Sequence, residues 1–112
     1  MASPPAIVVR DWIEVRAALE AARSQDRAVL LCSEQGASAW LGAGFWAALQ
    51  TRAHAEFPDV RFDLVLDCAD RAGDVMAGLR AGVRSMVFRG DPPALERLQD
   101  MARRAGANVA GG

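Results

Sequence analysis

The stretch of sequence that decides the fold covers residues 62–110, FDLVLDCADRAGDVMAGLRAGVRSMVFRGDPPALERLQDMARRAGANVA. It contains two successive units, each with a short apolar run, an aspartate near the end of that run, and apolar residues at spacings of three and four. Asp67 and Asp91 lie 24 residues apart, and Gly82 and Gly106 repeat that offset. Strand and helix patterns that alternate with short connections predict βα units sharing a parallel sheet.

The rest of the chain shows the same strand and helix patterns. Its capping and turn residues predict where these elements begin and end. Asp11 with Glu14 is typical of a capping box, and Asp91 before proline is typical of a helix start. Asp70 is expected to cap the third helix, and Gly82 to end it. Strands are predicted at 6–9, 28–32, 62–66 and 86–88, with a weaker one at 107–110, and helices at 12–24, 45–57, 70–82 and 92–106.

These elements predict one small three-layer α/β domain over residues 1–112, built on a mainly parallel sheet of four or five strands. The expected arrangement is a flavodoxin-like open sheet with strand order 2-1-3-4-5. That order would place the very apolar run 28–32 at a sheet edge, so the strand order stays open. The alternative is a half-barrel, which would leave one sheet face bare and force the chain to oligomerise.

Composition excludes several kinds of chemistry. The chain has no lysine, so it lacks a Schiff-base lysine, a P-loop lysine and the lysine that receiver domains carry. Its single histidine, His54, rules out multi-histidine metal sites and is expected on a helix surface. A net charge of −1 with no block of like charges argues against a nucleic-acid partner.

The sequence shows no signal peptide and no membrane-spanning segment. Its first residues lack a basic region followed by an apolar core, and its apolar runs are far shorter than the ~20 residues a membrane helix needs. Two cysteines, Cys32 and Cys68, are too few for a disulfide framework. A cytoplasmic location is therefore expected, and the alanine, arginine and glycine bias is typical of a GC-rich bacterial genome.

Polar residues follow the carboxyl ends of the predicted strands, where open parallel sheets bind their ligands. Helix N-termini and Arg89 at this rim would suit a small anion such as a phosphate ester or nucleotide. The alternative is that the aspartates are ordinary caps and turn residues. The ligand-rim candidates are Ser33, Glu34, Ser38, Asp67, Asp70, Arg89 and Asp91.

The two cysteines also lie at predicted strand ends. If their strands are neighbours, a disulfide is within reach, whereas a strand between them would prevent it. Without a C-x-x-C spacing to lower a thiol pKa, buried inert thiols are the expectation. Asp67 with Asp70 could bind Mg²⁺ or accept a phosphoryl group, but the missing lysine argues against a receiver.

The most unusual segment is ASAWLGAGFW, residues 37–46, in which aromatic side chains lie among glycines. The aromatics either cover the core or form an exposed apolar patch for a dimer or partner contact. The interface candidates are Trp40, Leu41, Phe45 and Trp46.

Two hypotheses about function follow. The first is a non-catalytic interaction or regulatory module that acts as a homodimer. The second is a small-anion binding protein, or a modest enzyme, that uses the rim. The sequence assigns no catalytic residue, no metal and no cofactor, and it leaves open whether any reaction occurs.

Overall fold

Strands and helices alternate along the chain as the sequence predicts. The computed structural model describes residues 4–112, and within them five strands alternate with four α-helices. The predicted class, a single small α/β domain with one parallel sheet, is confirmed. The elements are β1 Ala6–Val8, α1 Trp12–Ser24, β2 Val29–Cys32, α2 Ala43–Glu56, β3 Phe62–Asp67, α3 Ala72–Ala81, β4 Ser85–Phe88, α4 Pro92–Arg104 and β5 Asn108–Gly111, with a short 3₁₀ turn at Ala37–Ala39.

Two of the three predicted helix starts are confirmed. The Asp11 carboxylate accepts the N–H of Glu14 at 2.9 Å, and the Asp91 carboxylate accepts that of Ala94 at 3.2 Å. Asp70 was expected to cap α3, and this is wrong. The helix begins two residues later, with Arg71 at the N-cap position and no side-chain cap bond, which leaves Asp70 exposed in the preceding turn.

The end of α3 is also as predicted. Gly82 adopts a left-handed conformation with φ of +91°, which glycine reaches without the strain a Cβ would cause. The next N–H, that of Val83, bonds back to the carbonyl of Gly78 at 2.9 Å. This bond turns the chain directly into β4, in the manner of a Schellman motif.

The strand order is β1-β2-β3-β4-β5, with every neighbouring pair parallel. It therefore differs from the 2-1-3-4-5 order that the sequence favoured. Right-handed crossovers that always step in the same direction place every helix on the same side of a sheet. The contacts agree: the ring centroids of Trp12 and Phe57 lie 6.5 Å apart across α1 and α2, Gln50 of α2 bonds the carbonyl of Gly82 at the end of α3, and α3 packs against α4.

The core lies between the sheet and this single helix layer. Alternate strand residues point towards the helices, and the parallel register sets them side by side, as Leu31 beside Leu64 shows. Trp46 fills the space beneath α2 and is completely buried. Each large apolar side chain removed from water in this way contributes about 1.5–3 kcal/mol to folding.

The opposite side of the sheet is bare. Within residues 4–112 the chain forms two layers, one of helices and one of strands, and it matches the half-barrel alternative rather than a sheet covered on both sides. The strand residues that point away from the helices make up the surface that we call the bare face: Ala6, Val8, Leu30, Cys32, Asp63, Val65, Asp67, Ser85, Val87, Asn108 and Ala110.

Candidate functional site

Three of the predicted rim residues meet at the carboxyl end of β3. The Arg89 guanidinium donates a hydrogen bond to the Asp67 carboxylate. The other carboxylate oxygen of Asp67 accepts the backbone N–H of Gly36 at 2.9 Å and that of Ala69 at 3.0 Å. The Asp67 backbone N–H in turn donates to the Ser33 hydroxyl at 2.9 Å. Asp67 therefore ties the loop after β2 to the loops after β3 and β4.

The electrostatics of this cluster favour an ionised, fully bonded carboxylate. Burial alone would raise the pKa of Asp67, but the bonds from Arg89, Gly36 and Ala69 outweigh it and lower that pKa. The same ion pair raises the pKa of Arg89. Because the two charges neutralise each other, Arg89 brings no net positive charge to the rim.

The other rim candidates are spread over separate contacts. Glu34 pairs with Arg10 at 3.3 Å, and the Ser38 hydroxyl donates to the Asp74 carboxylate at 2.7 Å. Asp91 caps α4, and Asp70 is exposed in its turn. The seven residues do not converge on one point where a ligand could be held.

The depression at the rim is small. The depression beside Ser38 and Asp74 has a volume of about 30 Å³ and is floored by Leu66. That volume holds about one water molecule, whereas pockets for small organic ligands run to roughly 300–1,000 Å³. Among the residues the structure describes, no three histidine, cysteine or acidic side chains are grouped as a metal ion would need.

The two cysteines are free. Although β2 and β3 are neighbours, Cys32 lies beside Val65, so Cys68 is three residues too far along to pair with it. Cys68 is fully buried, and burial raises its pKa to about 11. Cys32 is half-buried on the bare face, and burial raises its pKa as well. Neither thiol is in the electropositive setting that activates cysteine.

The aromatic segment divides into an exposed and a buried part. Trp40 is 62% exposed, and Phe45 is exposed on the first turn of α2. Leu41 is half-buried against the core, and Trp46 is 0% exposed. Trp46 is therefore wrong as an interface candidate, because it lies on the inward stripe of α2 one residue after the outward Phe45.

The bare face is the surface that residue-by-residue reading of the sequence missed. Its centre is apolar, with Val8 exposed and the side chains of Leu30, Cys32, Val65 and Val87 half-buried. In the sequence these residues sit inside apolar runs of the kind expected for strands covered on both faces. That continuity was the available signal, because it shows that both sides of the strands are apolar.

The charged groups on the bare face already have partners within the chain. The Ser85 hydroxyl donates to the Asp63 carboxylate at 2.7 Å near the amino end of the strands. Asp67 and Arg89 pair at the carboxyl end. The apolar residues form a band between these two polar ends.

No protein-family model matches this chain, and no curated protein is similar to it in sequence. Among the described residues, no helix combines the length and the apolar character needed to cross a bilayer.

Proposed function

We propose that this domain is a non-catalytic module that acts through protein contacts, and that its bare face packs against the bare face of a second copy. The observation that carries the proposal is a five-stranded parallel sheet with helices on one side only. All-parallel sheets occur almost only where both faces are covered, because their strands are apolar on both sides. A second copy supplies the missing layer.

The size of the bare face supports this partner. Five strands spaced about 4.8 Å apart, with a rise of about 3.3 Å per residue, give a face on the order of 24 Å by 15 Å. The accessible surface of side chains exceeds this projected area, so two such faces bury roughly 1,000 Å². That is the lower bound for a specific protein interface.

The distribution of polar and apolar residues on the bare face supports a copy of the same chain. A twofold axis that crosses the strands turns the two sheets antiparallel, so the carboxyl end of one faces the amino end of the other. The apolar bands of the two copies then coincide, and the Asp67–Arg89 pair of each copy lies over the Ser85–Asp63 pair of its partner.

The rim has less support as a site for a small anion. Arg89 is neutralised by Asp67, and the depression beside Ser38 holds about 30 Å³. Two free cysteines, Cys32 and Cys68, support placing the proposed module in the reducing cytoplasm.

The test compares the mass in solution of the wild type with that of Val65→Arg, measured by sedimentation equilibrium. Val65 lies in the central strand of the bare face, so an arginine there places a long charged side chain in the middle of the apolar contact. Val65→Arg is expected to halve the mass. The matched control is Ile13→Arg, because Ile13 is 76% exposed on α1, in the helix layer away from the bare face, and this change should leave the mass unaltered.

Two results would overturn the proposal. One is a wild type that sediments as a single 11.9 kDa chain at high micromolar concentration. The other is a Val65→Arg variant that keeps the wild-type mass while remaining folded by circular dichroism.

A further inference from the structure

The two edge strands of the sheet, β1 and β5, differ in whether a side chain covers their outward backbone groups. At β5, Asn108 donates to the carbonyl of Arg84 before β4, so the neighbouring Val109 carbonyl points outward. The Gln99 side chain of α4 reaches over and donates to that carbonyl at 3.0 Å. A side chain that occupies an outward backbone group blocks the edge against further strands.

The edge at β1 has no such cover. The Leu30 N–H donates to the Pro5 carbonyl, and the Val9 N–H donates to the Cys32 carbonyl, so these backbone groups of Pro5 and Val9 face β2. The N–H and C=O groups of Ala6 and Val8 therefore point outward. Within the described part of the chain, β1 pairs with β2 and no strand lies on its other side.

A groove runs beside this open edge. It has a volume of about 150 Å³ and lies between β1 and the flank of α1 that faces away from α2. Ile7 is exposed at its mouth. Its lining includes Ile7, Ala18, Ala21, Ala22, Gln25 and Arg27.

We propose that β1 pairs antiparallel with the β1 of a second copy about a twofold axis at Ile7, which joins the two sheets into one of ten strands. Around that axis Ala6 of each copy lies opposite the partner's Val8, and their outward N–H and C=O groups exchange hydrogen bonds. Ile7 and the partner's Ile7 both point to the helix side, where the two grooves meet.

Charge favours the antiparallel direction. The carboxyl end of β1 carries Arg10 with two carboxylates, Glu14 at 3.4 Å and Glu34 at 3.3 Å, which leaves one negative charge in excess. Arg27 lines the groove at the amino end of the strand. Antiparallel pairing therefore brings Arg27 of one copy towards the acidic cluster of the other.

The blocked edge explains why the second copy must offer β1 and why assembly stops there. Because Gln99 covers the β5 edge, the open β1 edge can pair only with the β1 edge of another copy. Such a contact is isologous and closed, so it yields pairs instead of an open-ended array.

This pairing stands on a different surface from the bare face and does not depend on it. Both helix layers stay on one side of the joined sheet, so the bare faces remain free for the contact proposed above. The two contacts together predict an assembly of four chains with perpendicular twofold axes, a common symmetry for tetramers.

The test uses Ala21→Arg, read by sedimentation equilibrium. Ala21 is exposed in the single chain and lines the groove, so an arginine there obstructs the second copy without disturbing the protomer. The control is Ala48→Arg, an exposed alanine of α2. Ala21→Arg is expected to halve the mass, from four chains to two, and Ala48→Arg to leave it unchanged.

A second variant, Ala6→Pro, removes one outward N–H and keeps the bonds from β1 to β2. It should halve the mass as well.

Comparison of these variants with Val65→Arg separates the edge pairing from the bare-face contact. If Val65→Arg alone is already a single chain, or if Ala21→Arg and Ala6→Pro both keep four chains, edge pairing is wrong. If Val65→Arg keeps the wild-type mass while Ala21→Arg halves it, edge pairing stands and the bare-face contact is wrong.

Discussion

Replacing Asp67 with asparagine tests whether the Asp67–Arg89 pair is a structural clamp, meaning a bond that holds the loops after β2, β3 and β4 together. Asparagine keeps one oxygen to accept the N–H groups of Gly36 and Ala69, but its amide group faces the Arg89 guanidinium with a second donor. The change therefore removes one charge-assisted hydrogen bond and retains the shape of the side chain.

The magnitude follows from the exposure of the pair. Hydrogen bonds to charged groups are worth about 1.5–3 kcal/mol. The side chain of Arg89 is 31% exposed and that of Asp67 14%, so water screens the pair and the lower end of that range applies. A loss of about 1.5–2 kcal/mol lowers the Tm of a domain of this size by roughly 6–8 °C.

The effect should depend on pH in a definite direction. Because the folded protein lowers the pKa of Asp67, the carboxylate contributes stability above the unfolded pKa of about 3.9. That contribution is lost as the pH falls through the still lower pKa of the folded state. The difference in Tm between the wild type and Asp67→Asn should therefore be full at pH 7 and shrink below about pH 4.

The assay is thermal unfolding followed by circular dichroism across this pH range, with Arg89→Ala as the matched variant. Arg89→Ala removes the same ion pair from the other side, so the two single changes and the double change should have similar effects. If Asp67→Asn melts within about 1 °C of the wild type at pH 7, the clamp is refuted. A carboxylate at the rim would then be free for a ligand.

Two further changes probe contacts between elements. Gln50 is buried in α2, where it donates to the Gly82 carbonyl at 2.8 Å and accepts the Arg84 N–H at 2.9 Å. Gln50→Ala leaves both backbone groups without these partners, so it should lower the free energy of unfolding by about 2–4 kcal/mol. Urea titration measures this loss, and a loss below about 0.5 kcal/mol would contradict the prediction. Gln99→Ala uncovers the Val109 carbonyl, so the mass measured by light scattering should exceed that of the wild type. An unchanged mass would mean that Gln99 does not protect the β5 edge.

Local features of the fold could be predicted from the sequence because they depend on a few neighbouring residues. Asp11 and Asp91 cap helices within three residues of themselves, and Gly82 ends α3 by its own conformation. Asp70 failed because Ala72, two residues later, begins the helix, and only the path of the preceding loop decides that. The α/β class likewise follows from the alternation of local patterns.

The strand order could not be predicted in the same way. An apolar run such as Val29–Cys32 looks the same whether helices cover its second face or a second copy does. The stepping direction of each crossover decides between the two, and no residue encodes it locally. The bare face was therefore visible in the sequence only as one of two alternatives.

The candidate rim was partly predictable. Ser33, Asp67 and Arg89 do meet, because parallel strands bring their carboxyl ends to one edge. What the sequence did not reveal is that Asp67 and Arg89, 22 residues apart, bond to each other instead of to a ligand. Trp46 was misplaced as an interface candidate because it lies on the inward side of α2, one residue after the exposed Phe45.

The most direct test of the bare-face contact is the rate at which Cys32 is alkylated at different protein concentrations. Cys32 lies on the bare face, and the other thiol, Cys68, is fully buried and has a pKa of about 11. Edge pairing through β1 leaves Cys32 uncovered, so the rate reports on the face alone. We expect slow alkylation in concentrated wild-type protein, a rate at least tenfold higher on dilution, and a fast rate at all concentrations in Val65→Arg. A wild-type rate that is fast and independent of concentration would show that nothing covers the bare face and would contradict the proposed function.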